Sequence, residues 1–207
     1  MDATINNLIK IGKNYFGNSF SFIQKNNIFY SSSNNTSKAI NIRKNEKLPV
    51  KVINWFDDIW LHISIKFIPN LDKNAFPYTF FSLSVFQGDA GDEVKTQLFR
   101  AEWDNYPENN NLHSQPHWHI YPHKYKMKVH QDFEEFIELS EKDEDFNSFK
   151  NNDIDLVKIN RFHFAMNGQW SQNKSDINTI NEMSDLTNWF NGLLNHLKIE
   201  LKYLKEG

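Results

Sequence analysis

No cysteine occurs anywhere in the chain, which removes disulfides, thiolate zinc sites and cysteine nucleophiles from consideration. Glycine is scarce, seven in 207 residues, and there is no glycine-rich phosphate loop, dinucleotide fingerprint, nucleophile elbow or HExxH motif. A nucleotide cradle built from backbone amides is therefore not expected. Long apolar runs are missing as well, since no window approaches the roughly 20 apolar residues that span a bilayer. The N-terminal MDATINNLIKIGKNYFG lacks the uninterrupted apolar stretch of a signal peptide. These absences predict a soluble cytoplasmic protein with no membrane partner. Arginine is the last scarcity, three against 20 lysines. In so lysine-rich a chain an arginine is informative, because its planar fork suits bidentate binding of carboxylate or phosphate and lysine does not replace it.

What is plentiful is aromatic surface: 18 Phe and an aromatic share of 15% argue for a packed core and against disorder. The low mean hydropathy of -0.66 comes from Asn and Lys in the loops. The net charge of -3 opposes a whole-protein attraction to nucleic acid but leaves room for a local basic patch. Much of the acidity is local, in Asp132–Asp145, which reads as the solvated face and exit of a helix.

Length and pattern predict a single domain over residues 1–207, with an N-terminal helix, hairpin and flexible loop in 1–47 and a sheet with helices in 48–207. Ile5, Leu8, Ile9 and Phe16 suit a short amphipathic helix, and residues 19–30 alternate about Asn26-Asn27 as a small hairpin. Polar Ser31–Lys47 reads as a loop. Leu48–Phe56, Ile59–Pro69, Tyr78–Gln87, Val94–Asp104 and Gln115–Tyr121 read as strands rich in aromatic and β-branched residues. Their short separators favour antiparallel neighbours, because parallel pairs need crossovers of about a dozen residues or more. Gln131–Leu139 fits a helix and Ile154–Met166 a further strand. From Leu186 to Leu204 the apolar residues fall at helical spacing over about five turns, with Ser184 or Asp185 able to cap the start. The predicted class is α+β: an antiparallel sheet of about five to seven strands with a long C-terminal helix on one face.

Side chains alternate along a strand, so each strand divides into two faces. Leu61, Ile63, Ile65, Phe67, Phe81, Leu83, Val85, Phe99, Ala101, Trp103, Trp118, Phe162 and Phe164 make an apolar set. The opposite set carries His62, Arg100, Glu102, Asp104, His117, His119, Arg161 and His163. A wet sheet face is ordinary, and ion pairs of Arg100 or Arg161 with Glu102 or Asp104 would be its structural reading. Two of three arginines and several of eight histidines make a functional face the stronger one.

The densest segment is HSQPHWHIYPH, residues 113–123. His-x-His on a strand puts two imidazoles on one side, able to chelate a divalent metal. Glu102, Asp104 or His163 would complete a three-ligand site with an open position that activates water. Without metal, paired histidines and an arginine could manage a phosphodiester by acid–base chemistry. His62-Ile-Ser64 and His163-Phe-Ala165 resemble the paired His-x-Ser/Thr motifs of two-histidine phosphoesterases, but the second lacks its hydroxyl residue and no duplicated half is visible. Trp55, Trp60, Trp103, Trp118 and Trp170 are the candidates to stack bases, with Trp103 and Trp118 better explained as core.

LFRAEWDN (98–105), HSQPHWHI (113–120), INRFHFAMNGQW (159–170) and a C-terminal helix together resemble a group of small bacterial proteins that accompany mobile or phage-defence gene clusters. The resemblance covers roughly residues 95–205. It implies a prokaryotic accessory or effector component and carries over no catalytic residues. Two functions stay open. One is a phosphodiesterase or nuclease with His117, His119, His163 and Glu102 as ligands or acid–base groups, Asp104 as an alternative ligand, and Arg100, Arg161 and His62 holding phosphate. The other is a non-catalytic subunit whose polar face docks a protein partner or nucleic acid. The second is preferred at this level, because no complete catalytic constellation is legible.

Overall fold

The computed structural model describes residues 2–43, 46–72, 74–92, 95–104, 106, 115–121, 162–164 and 180–206. The chain divides into two compact units, Met1–Tyr121 with Val157–Gly207, and Pro122–Leu156. The second unit lies outside the described residues. So do the expected helix Gln131–Leu139, the acidic run Asp132–Asp145, most of the expected strand Ile154–Met166, Arg161 and Trp170.

Helix α1 (Asp2–Phe16) is followed by β1 (Ser21–Lys25), β2 (Ile28–Ser32), β3 (Thr36–Arg43), β4 (Glu46–Phe56), β5 (Ile59–Ile68), β6 (Tyr78–Gln87), β7 (Thr96–Asp104), β8 (His117–Ile120) and α2 (Met183–Glu206). All eight described strands join one antiparallel sheet, in the order β1-β2-β5-β6-β7-β8 with β4 also on β5 and β3 on β4. The class is the predicted α+β, with eight strands where five to seven were expected.

The first hairpin turns on Asn26 and Asn27, both at positive φ (49° and 62°), the backbone a two-residue type I′ turn needs and asparagine tolerates. The segment read as a flexible loop is where expectation and structure part. Thr36–Arg43 is β3, paired residue by residue with β4 from Thr36↔Ile53 to Arg43↔Glu46. Loop-like composition hid it, although Ile40 and Ile42 alternate with polar neighbours. Only the far end of β4 (Ile53, Asn54 and Phe56) pairs with β5. Its near half has a neighbour on one side only, where Pro49 is tolerated.

One face of the sheet is the main core. Leu61, Ile63, Ile65, Phe81, Leu83, Val85 and Phe99 are buried against Leu186, Phe190, Leu194, Leu197 and Leu201 of α2, with Ile5 and Leu8 of α1 completing the layer. Trp103 and Trp118 belong to this side: Trp103 stacks on Trp189, and Trp118 on Phe99. Asp185 caps α2 from its third residue, its Oδ2 accepting the N–H groups of Asn181 and Glu182 at 2.9 and 3.1 Å. Tyr15 donates to Asn191 Oδ1 at 2.9 Å and ties the two helices together.

The opposite face is not open. The β3–β4 hairpin lies over it and takes up its polar side chains. Asn41 Oδ1 accepts from Ser84 Oγ and Gln97 Nε2, and the Ile42 N–H donates to Gln97 Oε1 at 2.7 Å. Lys95 Nζ donates to Ser37 Oγ at 2.7 Å while lying over the Trp60 ring. Ala39, Val52, Trp60 and Phe86 form a small second core beneath the hairpin.

Candidate metal centre

Register alone assembles the site. Across β5, β6, β7 and β8, one rung reads His62, Ser84, Arg100, His119 and the next reads Ser64, Ser82, Glu102, His117. All eight side chains share the face under the hairpin. Neighbours across a rung stand about 4.5–5.5 Å apart at Cβ, so Glu102 is bracketed by both histidines of the His-x-His strand.

The side chains then converge. His119 Nε2 lies 2.9 Å from Glu102 Oε2 and 2.9 Å from His117 Nε2, and His117 Nε2 lies 3.5 Å from the same oxygen. His119 Nε2 takes part in both short contacts. A ring nitrogen carries either a proton or a lone pair, never both. No protonation state therefore gives each of the two 2.9 Å contacts its own hydrogen bond. A cation satisfies all three atoms at once. From the triangle's sides, a point about 1 Å off its plane is about 2.1 Å from every corner, within zinc–nitrogen and zinc–carboxylate bond lengths. Among the described residues, Glu102, His117 and His119 are the group arranged to hold an ion. Two histidines and a carboxylate leave at least one coordination position, as in His₂Glu zinc sites and the facial triads of non-haem iron. His117 is largely covered, whereas the His119 side chain is 39% exposed, so that position has access to solvent.

Behind the ligands stands Arg100, 3% exposed. Its Nε is 2.9 Å from Glu102 Oε1, and its Nη1 donates to the Ile42 carbonyl at 2.7 Å and to Tyr121 Oη at 2.9 Å. Tyr121 in turn donates to the same carbonyl at 2.7 Å. Glu102 Oε1 meets the guanidinium at Nε, while Oε2 faces the imidazoles and accepts from Arg100 Nη2 at 3.5 Å. Burial alone would raise the Glu102 pKa, but hydrogen bonds from His117 and His119 and the Arg100 charge prevail, and the carboxyl is held far below its usual range. Burial pushes the Tyr121 hydroxyl up, with Glu102 adding to that and Arg100 and Arg43 opposing it.

Several expected site residues lie elsewhere. Arg100 cannot hold substrate phosphate, because the hairpin and Glu102 occupy its fork. Glu102, not Asp104, is the carboxylate brought to the two histidines. The register puts residue 104 opposite Gln115, beyond the end of β8, where the Asp104 N–H donates to Gln115 Oε1 and Oδ1 accepts the Tyr106 N–H. His62 shares the face but is 7% exposed, its Nδ1 3.0 Å from the Lys51 carbonyl. Burial lowers its pKa, against that hydrogen bond. His163 is away from the ligands. Phe162 and Phe164 do turn into the core, but residues 162–164 form no strand, so the other side of this segment is not the sheet's polar face. His163 instead meets Glu200 of α2, Nδ1 to Oε2 3.2 Å, with 77% of its side chain exposed. The two His-x-Ser-like motifs consequently never meet. Of the tryptophans, Trp55, Trp60 and Trp103 are buried.

Tyr121 and Arg43 escaped the sequence reading. The alternation that puts His117 and His119 on one face also puts Tyr121 there, so its signal was available. Arg43 was hidden inside the segment read as loop.

No described helix is long and apolar enough to cross a membrane. Set against family models, curated proteins and solved structures, the chain matches none.

Proposed function

We propose that this protein is a metal-dependent hydrolase: Glu102 Oε2, His117 Nε2 and His119 Nε2 bind one divalent transition metal, which activates a water in the open position. The observation that carries the reading is the triangle of ligand atoms, whose short contacts no arrangement of protons satisfies. A bound ion would lower the pKa of its water toward neutrality and so supply hydroxide. Arg100 would stand behind the carboxylate as the buried counter-charge of Glu102. The docking-face alternative loses its main support, because His62, Ser82, Ser84, Arg100, Glu102 and Asp104 are all buried.

The test is metal content after dialysis against zinc, manganese, iron(II) and nickel, each followed by hydrolysis assays. One ion per chain is expected, lost in His119→Ala and Glu102→Gln while both variants remain folded. A wild-type chain that retains no ion beyond the level of His119→Ala would refute the proposal.

A further inference from the structure

Beside the ligand triangle, the same face runs out from under the hairpin into a shelf of rings and cations. Phe80 stands two residues from Ser82 on β6, and Ser82 is the rung partner of Glu102. That places Phe80 on the diagonal from the ligand, about 7–8 Å away by strand geometry. Tyr78 follows two residues further along the same face. Its ring meets Tyr106 edge-on, with centroids 5.6 Å apart at 88°. The rings of Tyr78, Phe80 and Tyr106 are only half-buried.

Two cations border them. Lys66, exposed, is the β5 neighbour of Phe80. Arg43, exposed at the end of β3, stacks its guanidinium over Phe80 at 4.7 Å. Among the described residues neither cation is in an ion pair. The carboxylate on this rung, Asp104, is buried and turned to the Tyr106 N–H.

We infer that this shelf binds single-stranded nucleic acid and that the substrate of the metal centre is its phosphodiester. Ring faces and an arginine plane stack unpaired bases of any sequence, and flanking cations follow the backbone. A duplex hides its bases from such a shelf, and the net charge of -3 gives the remaining surface little attraction for polyanions. Cleavage itself rests on the hydrolase reading. With an ion held by Glu102, His117 and His119 supplying hydroxide, the hydroxide oxygen would bond to phosphorus as the bond from phosphorus to one sugar oxygen breaks, that oxygen taking a proton from water. The products are a phosphomonoester and a free hydroxyl end.

Binding is tested apart from metal. With chelator present, fluorescence anisotropy is measured for labelled oligothymidylate, oligoadenylate and a duplex of equal length. Wild type is expected to bind both single strands more tightly than the duplex. Tyr78→Leu should weaken single-strand binding roughly 5- to 150-fold, the range for losing one stacked base, whereas Tyr78→Phe retains it. Arg43→Ala, at an exposed site where substitution costs little stability, should weaken it and lower the salt dependence by about one phosphate contact. Absence of single-strand binding, or binding equal to that of the duplex and indifferent to Tyr78→Leu, overturns the inference. If the strands bind but no metal does, the hydrolase reading fails and the shelf stands. If metal binds and the strands do not, the shelf fails alone.

Discussion

Arg100→Met separates the two duties of Glu102. The substitution keeps an apolar stem of similar reach and removes the charge. In the wild type the guanidinium is 4% exposed at its side chain and meets Glu102 Oε1 at 2.9 Å, the Ile42 carbonyl at 2.7 Å and Tyr121 at 2.9 Å. The Ile42 carbonyl keeps Tyr121 as a donor, so the principal loss is the counter-charge of a carboxylate whose side chain is 8% exposed. Removing one member of a buried pair costs about 3–5 kcal/mol, chiefly because the other charge is left behind. Urea unfolding in chelator should therefore show a loss of that size. In saturating zinc the ion takes over as the counter-charge of Glu102, and the loss should shrink. Linkage then requires Arg100→Met to bind zinc more tightly than wild type by the same free energy. The double variant Arg100→Met with Glu102→Leu should recover most of the stability in chelator and bind no ion. A cost of under 1 kcal/mol, or one that is identical with and without zinc, would refute this account of Glu102.

Three further outcomes follow from the same structure. With chelator present, the Glu102 contribution to stability should be complete above its unfolded pKa of about 4.3 and be lost as pH falls below it, because its folded pKa is depressed; Glu102→Gln should flatten that acid limb of the unfolding profile. Gly12→Ala should destabilise by about 1–3 kcal/mol in thermal or urea melts despite better helix propensity, since the added Cβ would overlap the buried Phe20 ring, and an unchanged melting point would contradict that packing. His163→Ala should leave metal stoichiometry unchanged and alter stability by no more than about 0.5 kcal/mol, as suits an exposed ion pair with Glu200; a lost ion would return His163 to the site.

How far the sequence could be read depended on which physical signal each segment carried. Period-two alternation located β5, β6 and β7, and the heptad-like run from Leu186 located α2, because each has one face wholly in the core. Asn26-Asn27, with alternation on either side, located the first hairpin. β4 was legible as Leu48–Phe56, but β3 failed all three tests. Its buried residues Ala39 and Asn41 are a small residue and a polar one, because it packs on a polar face rather than an oily one. A strand whose buried side is largely hydrogen-bonded keeps only a short apolar alternation, Ile40 and Ile42 on its half-buried side, and its composition is that of a loop.

That omission misdirected the reading of the site. Without β3, the residues opposite the apolar set count as a solvent face, and Arg100 and His62 read as substrate contacts. With β3 in place the same alternation becomes a buried layer that reaches water at His119 on the β8 edge and, one rung beyond Glu102, at Arg43, Lys66 and the half-buried rings. The ligand choice turned on a different quantity. His-x-His on β8 can face only those β7 residues its register allows, and Glu102↔His117 with Arg100↔His119 excludes Asp104 by two residues. Register depends on where β8 begins, and no periodicity within β7 or β8 encodes that. The histidines were legible from sequence as a chelating pair; their carboxylate partner became definite only once the two strands were paired.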